Sequence, residues 1–350
     1  MYVIIDPDYA TTNWCQSSVS ALKNQARKKR VTLCFSESYD DVGDDRIAFV
    51  LGGTARWIAQ TVTALQARSC HPIILSELPN RNFFGKYSSV KTDYGRFMSA
   101  MRASFPAGEE CRAAFYGMNH ASFSDMSRLN AFYGVFRDGE IFENHGSLEQ
   151  CFIAFLEAHK KAPFNAVICA NDFAAVSLLV HLRSEGVDSK GLRIAVHSNA
   201  RLLRYFPEII SAMVDYTAVA TAAFEIAACI ENNPAFIGMR ITVDCLPDTE
   251  FEERGIFDSL YATAAKQEGD ALYTDGELCE LMRIERLMSE CDETDVKILR
   301  LLSSSADEIA ENTFLSDNGV KYRIKKMKRI CCVDSKREIP LLLAKYGIVL

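Results

Sequence analysis

The stretch that decides the fold lies near the middle of the chain, at residues 164–186, and reads FNAVICANDFAAVSLLVHLRSEG. Its first part, NAVICAN (165–171), is continuously apolar and predicts a strand that is buried on both faces. Its second part, FAAVSLLVHLRSEG (173–186), predicts a helix that begins where the strand ends. A buried strand followed at once by a helix is the repeating unit of parallel α/β sheets.

The same alternation extends in both directions from this stretch. Short apolar runs alternate with helical patterns up to about residue 247, and this βαβα order predicts parallel sheets covered by helices. The number of strands favours two α/β lobes over one compact sheet. The strand candidates are 1–6, 31–36, 46–53, 71–77, 111–118, 134–143, 165–171, 192–198, 210–216 and 239–247, and the main helix candidates are 17–30, 54–69, 124–136, 147–161, 173–186 and 217–232.

The pattern changes after Pro247. Residues 248–290 are acidic and weak in strand signal, and we interpret them as a linker with partial helix. Residues 291–350 carry four short helix candidates and predict a small all-α domain, which leaves 1–247 as the two-lobed domain. Pro340 fits the last helix only with a kink or a later start, because proline past the first turn removes a backbone hydrogen bond.

The composition limits the possible functions and locations. A net charge of −7 argues against a surface that coats nucleic acid, but it allows one local basic footprint. The first residues, MYVIID, predict a strand rather than an export signal, and no apolar run reaches the ~18 residues of a membrane span. We expect a cytoplasmic protein with reduced, mostly buried thiols, no membrane partner, no metal and no cofactor.

The local basic footprint lies at residues 317–338, DNGVKYRIKKMKRICCVDSKRE. Apolar residues recur there at helical spacing and predict a stripe that faces a core, so the cations share the outward arc. Crowded like charges repel, and DNA is an anion whose major groove admits a helix. A solvated basic face is the alternative, but the preceding helix and the turn FLSDNG (314–319) favour a helix-turn-helix. The apolar stripe is Val320, Ile324, Met327 and Ile330.

Residues 292–348 resemble a LuxR/GerE-type helix-turn-helix domain. The segments ILRLL (298–302), EIAENTFLS (308–316) and GVKYRIKKMKRI (319–330) carry the likeness, and Gly319 stands where that family usually has threonine. The resemblance implies that Lys321 and Arg323 approach bases or phosphates of double-stranded DNA. It also implies a homodimer, since one such helix reads only a short half-site. The candidate DNA-binding residues are Ser316, Asn318, Lys321, Arg323, Lys325, Lys326 and Lys328.

Residues 1–247 resemble the effector domain of the lactose-repressor family, which is similar to the type 1 periplasmic binding proteins. The order of motifs carries this likeness, from RIAFVLGG (46–53) through the central stretch to ITVDCLPDTE (241–250). It implies two α/β lobes joined by three crossovers, with a small molecule in the cleft between them.

The same resemblance implies the ligand contacts on one wall of this cleft. Arg128 in SDMSRLNAF matches an arginine that holds ligand hydroxyls, and its alternative is pairing with Asp125 on a helix surface. Asn171 and Asp172 match an Asn-Asp pair of that family. Asn171 can donate and accept, which suits a sugar or nucleoside, and it can also cap the next helix.

The remaining candidates come from loops at the ends of other strands. HSNA (197–200) replaces a turn that carries an aspartate pair in the family, so a strong acceptor for sugar hydroxyls is lost and Ser198 or Asn199 takes its place. His197 there is interpreted as a structural histidine. Trp14 can stack on a ligand ring or pack in the core. The candidate ligand-binding residues are Asp6, Tyr9, Trp14, Thr54, Arg128, Asn171, Asp172, Ser198 and Asn199.

These features together predict a ligand-responsive DNA-binding transcription regulator whose effector is a sugar, a nucleoside or a similar polar metabolite. The DNA-binding unit comes last, unlike that of lactose-repressor relatives, so the signal must pass through residues 247–290. The alternative is a cytosolic solute-binding or sensor protein whose helical tail contacts other proteins. We do not expect an enzyme, because no Ser-His-Asp, Cys-His or paired-carboxylate arrangement emerges.

Overall fold

The computed structural model of the protein describes residues 1–10, 12–43, 47–75, 86–106, 110–120, 122–198, 200–247 and 275–350. In these ranges strands alternate with helices up to residue 247, and helices alone follow from residue 276. None of the described helices is long and apolar enough to cross a membrane.

The strands are β1 (Tyr2–Ile5), β2 (Cys34–Ser36), β3 (Ile47–Leu51), β4 (His71–Ile74), β5 (Ser88–Asp93), β6 (Ala113–Met118), β7 (Glu140–Glu143), β8 (Ala166–Cys169), β9 (Arg193–Ser198), β10 (Ile209–Val214) and β11 (Arg240–Pro247). The helices are α1 (Asn13–Lys29), α2 (Ala55–Ala67), α3 (Gly95–Ala103), α4 (Phe123–Val135), α5 (Leu148–Lys161), α6 (Asp172–Ser184), α7 (Tyr216–Asn232), α8 (Gly276–Glu290), α9 (Glu293–Arg300), α10 (Ala306–Thr313), α11 (Asp317–Cys331) and α12 (Glu338–Lys345). Short 3-10 helices span Tyr39–Asp41, Arg201–Tyr205 and Pro234–Phe236.

The strands form two mostly parallel halves that share one strand. Their order is β2-β1-β3-β4-β5-β11-β10-β9-β8-β6-β7. The first part of β11 pairs in parallel with β5, from Arg240 opposite Ser89 to Asp244 opposite Asp93. Its last residues pair antiparallel with β10. We call the β1–β5 half lobe 1 and the β6–β10 half lobe 2.

The chain passes between the lobes three times. It crosses after β5, where α3 leads to β6; it returns after β10, because α7 packs against α1 and β5; and it crosses again within β11. This is the connectivity expected for a two-lobed domain with a cleft between its halves. Continuous apolar strands such as β3 and β8 are buried along their whole length because helices cover both faces.

The C-terminal helices share a hydrophobic core with lobe 2. Leu179 of α6 and Leu202 lie in the same buried cluster as Ile284 of α8, Ile298 of α9 and Met327 of α11. Helix α8 packs against α6 and the 3-10 helix Arg201–Tyr205, and also against α11. The helical tail is therefore attached to lobe 2 by apolar contact as well as by the chain.

The predicted fold class, two parallel α/β lobes followed by a helical C-terminal region, is confirmed. Differences are local: β7 spans only Glu140–Glu143, because the preceding residues complete α4. Helix α12 begins at Glu338, so Pro340 lies in its first turn, where a missing N–H costs no helical bond. The boundaries 1–247, 248–290 and 291–350 stay predictions, and residues 248–274 lie outside the described residues.

Candidate functional site

Arg128 is buried at the start of lobe 2, where α4 faces the end of β8. Its Nη1 donates to the Ala170 carbonyl at 2.6 Å and to Asp125 Oδ1 at 3.3 Å. Only 8% of the residue is exposed. Pairing with Asp125 therefore occurs, but inside the protein rather than on a helix surface. The Ser122 hydroxyl caps α4 by accepting from the Asp125 N–H, which fixes the carboxylate one turn before the arginine.

The charges of this pair persist near neutral pH. Burial raises the pKa of Asp125 to about 6, against the attraction of Arg128 and a hydrogen bond from the Asn119 N–H. Burial also works to lower the pKa of Arg128, but Tyr94, Asp125 and Asp172 raise it above the ordinary value. A charged guanidinium is thus held at the site.

Several aromatic side chains lie around Arg128. The guanidinium carbon lies 5.1 Å from the ring centroid of Tyr94, a cation–π distance. The rings of Tyr94 and Phe97 stand nearly perpendicular to the ring of His197, with centroids 5.0 and 4.7 Å away. Tyr216 belongs to the same surroundings, since burial and the neighbouring Tyr94 raise its pKa.

The structural role that the sequence suggests for His197 stays a prediction. His197 is fully buried on β9, and burial, followed by the positive charge of Arg128, lowers its pKa to about 3. The ring is therefore neutral. A backbone group of Tyr94 is a polar neighbour, but neither ring nitrogen completes a hydrogen bond of good geometry within the described residues. A buried polar ring of this kind is a candidate ligand contact.

Asn171 and Asp172 lie where β8 passes into α6. The Asn171 side-chain oxygen caps α6 by accepting from the Ala174 N–H at 2.9 Å. Asp172 is buried, and its Oδ2 accepts from the Ala200 N–H at 3.1 Å. The capping role of Asn171 is confirmed, and its role in ligand binding stays a prediction.

The lobe 1 candidates cluster around Gly53, in the loop after β3. Asp6 is buried and accepts from the Gly53 N–H at 3.3 Å, so it ties the loop after β1 to the loop after β3. The ring of Tyr9 lies so close to Gly53 that a Cβ added there would be 2.2 Å from a ring carbon. Thr54 caps α2 by accepting from the Trp57 N–H. These residues shape the wall of lobe 1.

Three further candidates complete the predicted set. Trp14 is half-buried and packs against a hydrophobic cluster that contains residues of both lobes, which favours its structural interpretation. Ser198 ends β9, and its side chain is outside what the structure describes. Asn199 lies outside the described residues. Tyr94, His197 and Tyr216 were not predicted, because their proximity to Arg128 depends on contacts between distant segments.

Helix α11 has a buried face and a solvent face. Val320, Met327 and Ile330 are buried and Ile324 is half-buried, as the apolar stripe predicts. We call the solvent face the α11 outer face. Its residues follow one another at helical spacing. It consists of Asn318, Lys321, Tyr322, Lys325 and Arg329, all exposed.

Two predicted DNA contacts point toward the protein instead. Arg323 Nη1 donates to Asp292 Oδ2 at 2.8 Å and to Asp295 Oδ1 at 2.7 Å, at the start of α9. Lys326 Nζ donates to the carbonyl of Glu290, the last residue of α8, at 3.0 Å. The first pair of bonds raises the pKa of Arg323 further above its ordinary value. These two cations hold α11 against α8 and α9.

The turn before α11 carries an unusual residue. Phe314 ends α10 in the left-handed region, with φ 56°, and its side chain is 96% exposed. A bulky residue rarely adopts this conformation. Ser316 begins α11 by accepting from the Gly319 N–H at 3.2 Å, and Lys328 is half-buried. Tyr322, Arg329 and Phe314 were absent from the predicted set.

Comparison with known proteins supports the fold. A myo-inositol binding protein of Caulobacter, solved with myo-inositol, aligns with a TM-score of 0.56 and 15% identity, over 70% of this chain and 92% of the other. A LacI family transcriptional regulator of Enterococcus faecalis with bound ribose aligns with a TM-score of 0.53 and 16% identity, over 70% and 95%. A LacI family transcriptional regulator of Arthrobacter, in complex with lactose, aligns with a TM-score of 0.52 and 18% identity, over 70% of this chain and 96% of the other.

These likenesses define the type 1 periplasmic-binding-protein-like fold of the two lobes. No family model matches the chain. No curated protein matches it either. The alignment with the Enterococcus faecalis regulator covers 70% of this chain, so the remaining 30% lies outside it.

Proposed function

We propose that the protein is a ligand-responsive DNA-binding transcription regulator. A polar small molecule binds between the lobes, and double-stranded DNA binds at the α11 outer face. The observation that carries the proposal is the combination, in one chain, of a two-lobed sensor fold with a basic, exposed helix packed through α8 onto lobe 2.

The chemistry of the cleft supports a hydroxylated or aromatic polar effector. Arg128 supplies a charged donor, Asp172 an acceptor, and Tyr94 a ring face. Similar solved structures hold ribose, myo-inositol and lactose. The HSNA turn lacks the family carboxylate, so a nucleoside, which can stack on Tyr94, is a second effector class.

A thermal-shift screen with ribose, myo-inositol and adenosine tests the effector site. A binder at a hundredfold excess over its Kd stabilises the folded protein by about 2.7 kcal/mol. We expect Arg128→Met to abolish the shift. Arg137→Met, a change of the same type just after α4, is the matched control that keeps it. A shift that survives Arg128→Met places the effector elsewhere.

The α11 outer face supports the DNA part of the proposal. Lys321, Lys325 and Arg329 are exposed, while the apolar stripe on the opposite side is covered. A second copy of the chain supplies a second half-site contact, as is usual for helix-turn-helix proteins. The proposed function takes place in the cytoplasm and involves no catalysis.

A mobility shift on a mixed-sequence duplex tests the DNA part. We expect salt-sensitive binding, since phosphate contacts release counterions. Lys321→Ala with Lys325→Ala should weaken it, whereas Lys190→Ala with Lys160→Ala in lobe 2 should not. Equal loss in both double variants would indicate charge without a site.

A second function, a sensor whose tail contacts another protein, is favoured by one specific observation. Phe314 and Tyr322 are 96% and 73% exposed, and large exposed aromatics are typical of protein interfaces. The mobility shift separates the two functions, since a protein-binding tail gives no salt-sensitive duplex shift.

A further inference from the structure

Three consecutive backbone N–H groups meet carboxylates from two different parts of the fold. The Ala200 N–H donates at 3.1 Å to Oδ2 of Asp172, which is the first residue of α6. Glu285, in the middle of α8, accepts the next two bonds. The Arg201 N–H donates to its Oε1 at 3.0 Å, and the Leu202 N–H donates to its Oε2 at 2.8 Å. Both carboxylates are buried, with 3% and 2% exposure. We call residues 200–202 the coupling turn.

On one side, the coupling turn is held by the candidate effector site. Asp172 follows Asn171 at the end of β8 and lies close enough to Arg128 to raise the arginine's pKa. Its carboxylate therefore attracts the Arg128 guanidinium through its charge and accepts a hydrogen bond from the Ala200 N–H. A hydrogen bond to a charged acceptor is stronger than a neutral one, so the charge on Asp172 fixes the start of the turn.

On the other side, the coupling turn is held by the helix that carries α11. Besides accepting two N–H groups, α8 receives the Arg201 guanidinium, whose Nη1 reaches the Met288 and Ser289 carbonyls at 3.5 and 3.4 Å. The end of α8 in turn accepts from Lys326 of α11 through the Glu290 carbonyl. A displacement of the turn thus acts on α8, the helix against which α11 packs.

We propose that the coupling turn transmits the state of the cleft to α11, with Glu285 as the positioning residue. The proposal rests on the proposed function and specifies its regulation. An effector that bonds to Asp172 or Arg128 redistributes the carboxylate's interaction with Ala200, and the turn and α8 shift together. An effector changes the population of two states only through such differential contacts. The covalent route through residues 248–274 is not needed for this signal.

Amide hydrogen exchange on the full chain tests the coupling without DNA or effector. Asp172→Asn keeps the shape of the side chain but removes its charge. We expect exchange to accelerate about tenfold in the peptide 200–206 and also in 278–290 of α8. Asp215→Asn is the matched control, because Asp215 likewise accepts a backbone N–H, from Ala218 at 2.9 Å, but at the start of α7. Its effect should stay within α7.

A second variant approaches the turn from the opposite side. Glu285→Gln keeps one accepting oxygen and should accelerate exchange in 200–206 and in 317–331 of α11. The coupling is overturned if Asp172→Asn accelerates 200–206 alone, or if Glu285→Gln leaves α11 at the parent rate. Coupled exchange in a chain that shows no mobility shift would retain the coupling and remove the proposed DNA function, so the two failures are distinguishable.

Discussion

Replacing Arg323 by alanine should destabilise the C-terminal helices rather than remove a DNA contact. The guanidinium bridges Asp292 and Asp295 at the start of α9, with N–O distances of 2.8 and 2.7 Å. The Asp295 side chain is only 6% exposed, so the substitution leaves a buried carboxylate whose charge has lost its partner. Uncompensated buried charge is among the costlier results of a substitution.

The magnitude follows from the exposure of each partner. Asp292 is 42% exposed, and a bond to such a group contributes about 0.5 kcal/mol after screening by solvent. The buried Asp295 bond is charge-assisted and contributes about 1.5 kcal/mol or more. The sum predicts that Arg323→Ala lowers the free energy of unfolding by about 2 kcal/mol. Arg323→Lys keeps the charge on one nitrogen, and in the parent one nitrogen, Nη1, makes the bonds to both carboxylates, so this variant should lose less stability than Arg323→Ala.

Urea unfolding followed by far-UV circular dichroism measures this loss, and Lys321→Ala is the matched control. Lys321 is exposed on the same helix, so its substitution should change stability by less than about 0.5 kcal/mol. Lys321→Ala should weaken duplex binding, whereas the Arg323→Ala protein should bind DNA at low urea almost as the parent does. An Arg323→Ala protein that unfolds at the parent's urea concentration and binds duplex as weakly as Lys321→Ala would refute the reasoning.

Two further predictions concern lobe 2. Gly117→Ala should destabilise by about 2–4 kcal/mol in urea unfolding, because φ is 78° and the new Cβ would lie 2.6 Å from that of Ala174, whereas Gly134→Ala, with open space around it, should be neutral or stabilising. The hydrogen bond that His181 Nε2 donates to the Glu277 carboxylate raises the pKa of His181. The melting advantage of the parent over His181→Gln should therefore be full below about pH 6.5 and fade as pH rises through the folded-state pKa. An advantage that is constant from pH 6 to pH 9, or one that grows, would contradict this linkage.

Local pattern was enough to predict most of the fold. The strand at 165–171 and its helix are β8 and α6 within a few residues, because continuous apolarity and an Asn cap act locally. The double pairing of β11 could not be predicted, since Val243 meets β5 and Cys245 meets β10 through contacts that are remote in the sequence. The attachment of α8 to lobe 2 depends in the same way on distant partners.

In the candidate site, too, local motifs were predictable and contacts between distant segments were not. The importance of Arg128 followed from a motif, but its burial beneath Tyr94 and its proximity to His197 depend on three separate segments of the chain. The same limit applies to Arg323. Helical spacing places it beside the apolar stripe, but it does not reveal that Asp295 lies opposite. Periodicity gives the side of a helix that faces inward, and tertiary contacts decide which of the flanking charges are paired.

The salt dependence of duplex binding tests the central claim most directly. Each phosphate contact contributes about 0.9 to the slope of log K against log salt concentration. Fluorescence anisotropy with a labelled duplex should therefore give a negative slope for the parent, and a slope shallower by about 1.8 for the Lys321→Ala, Lys325→Ala protein. An identical slope in both proteins, or no duplex binding by the parent at low salt, would contradict the account.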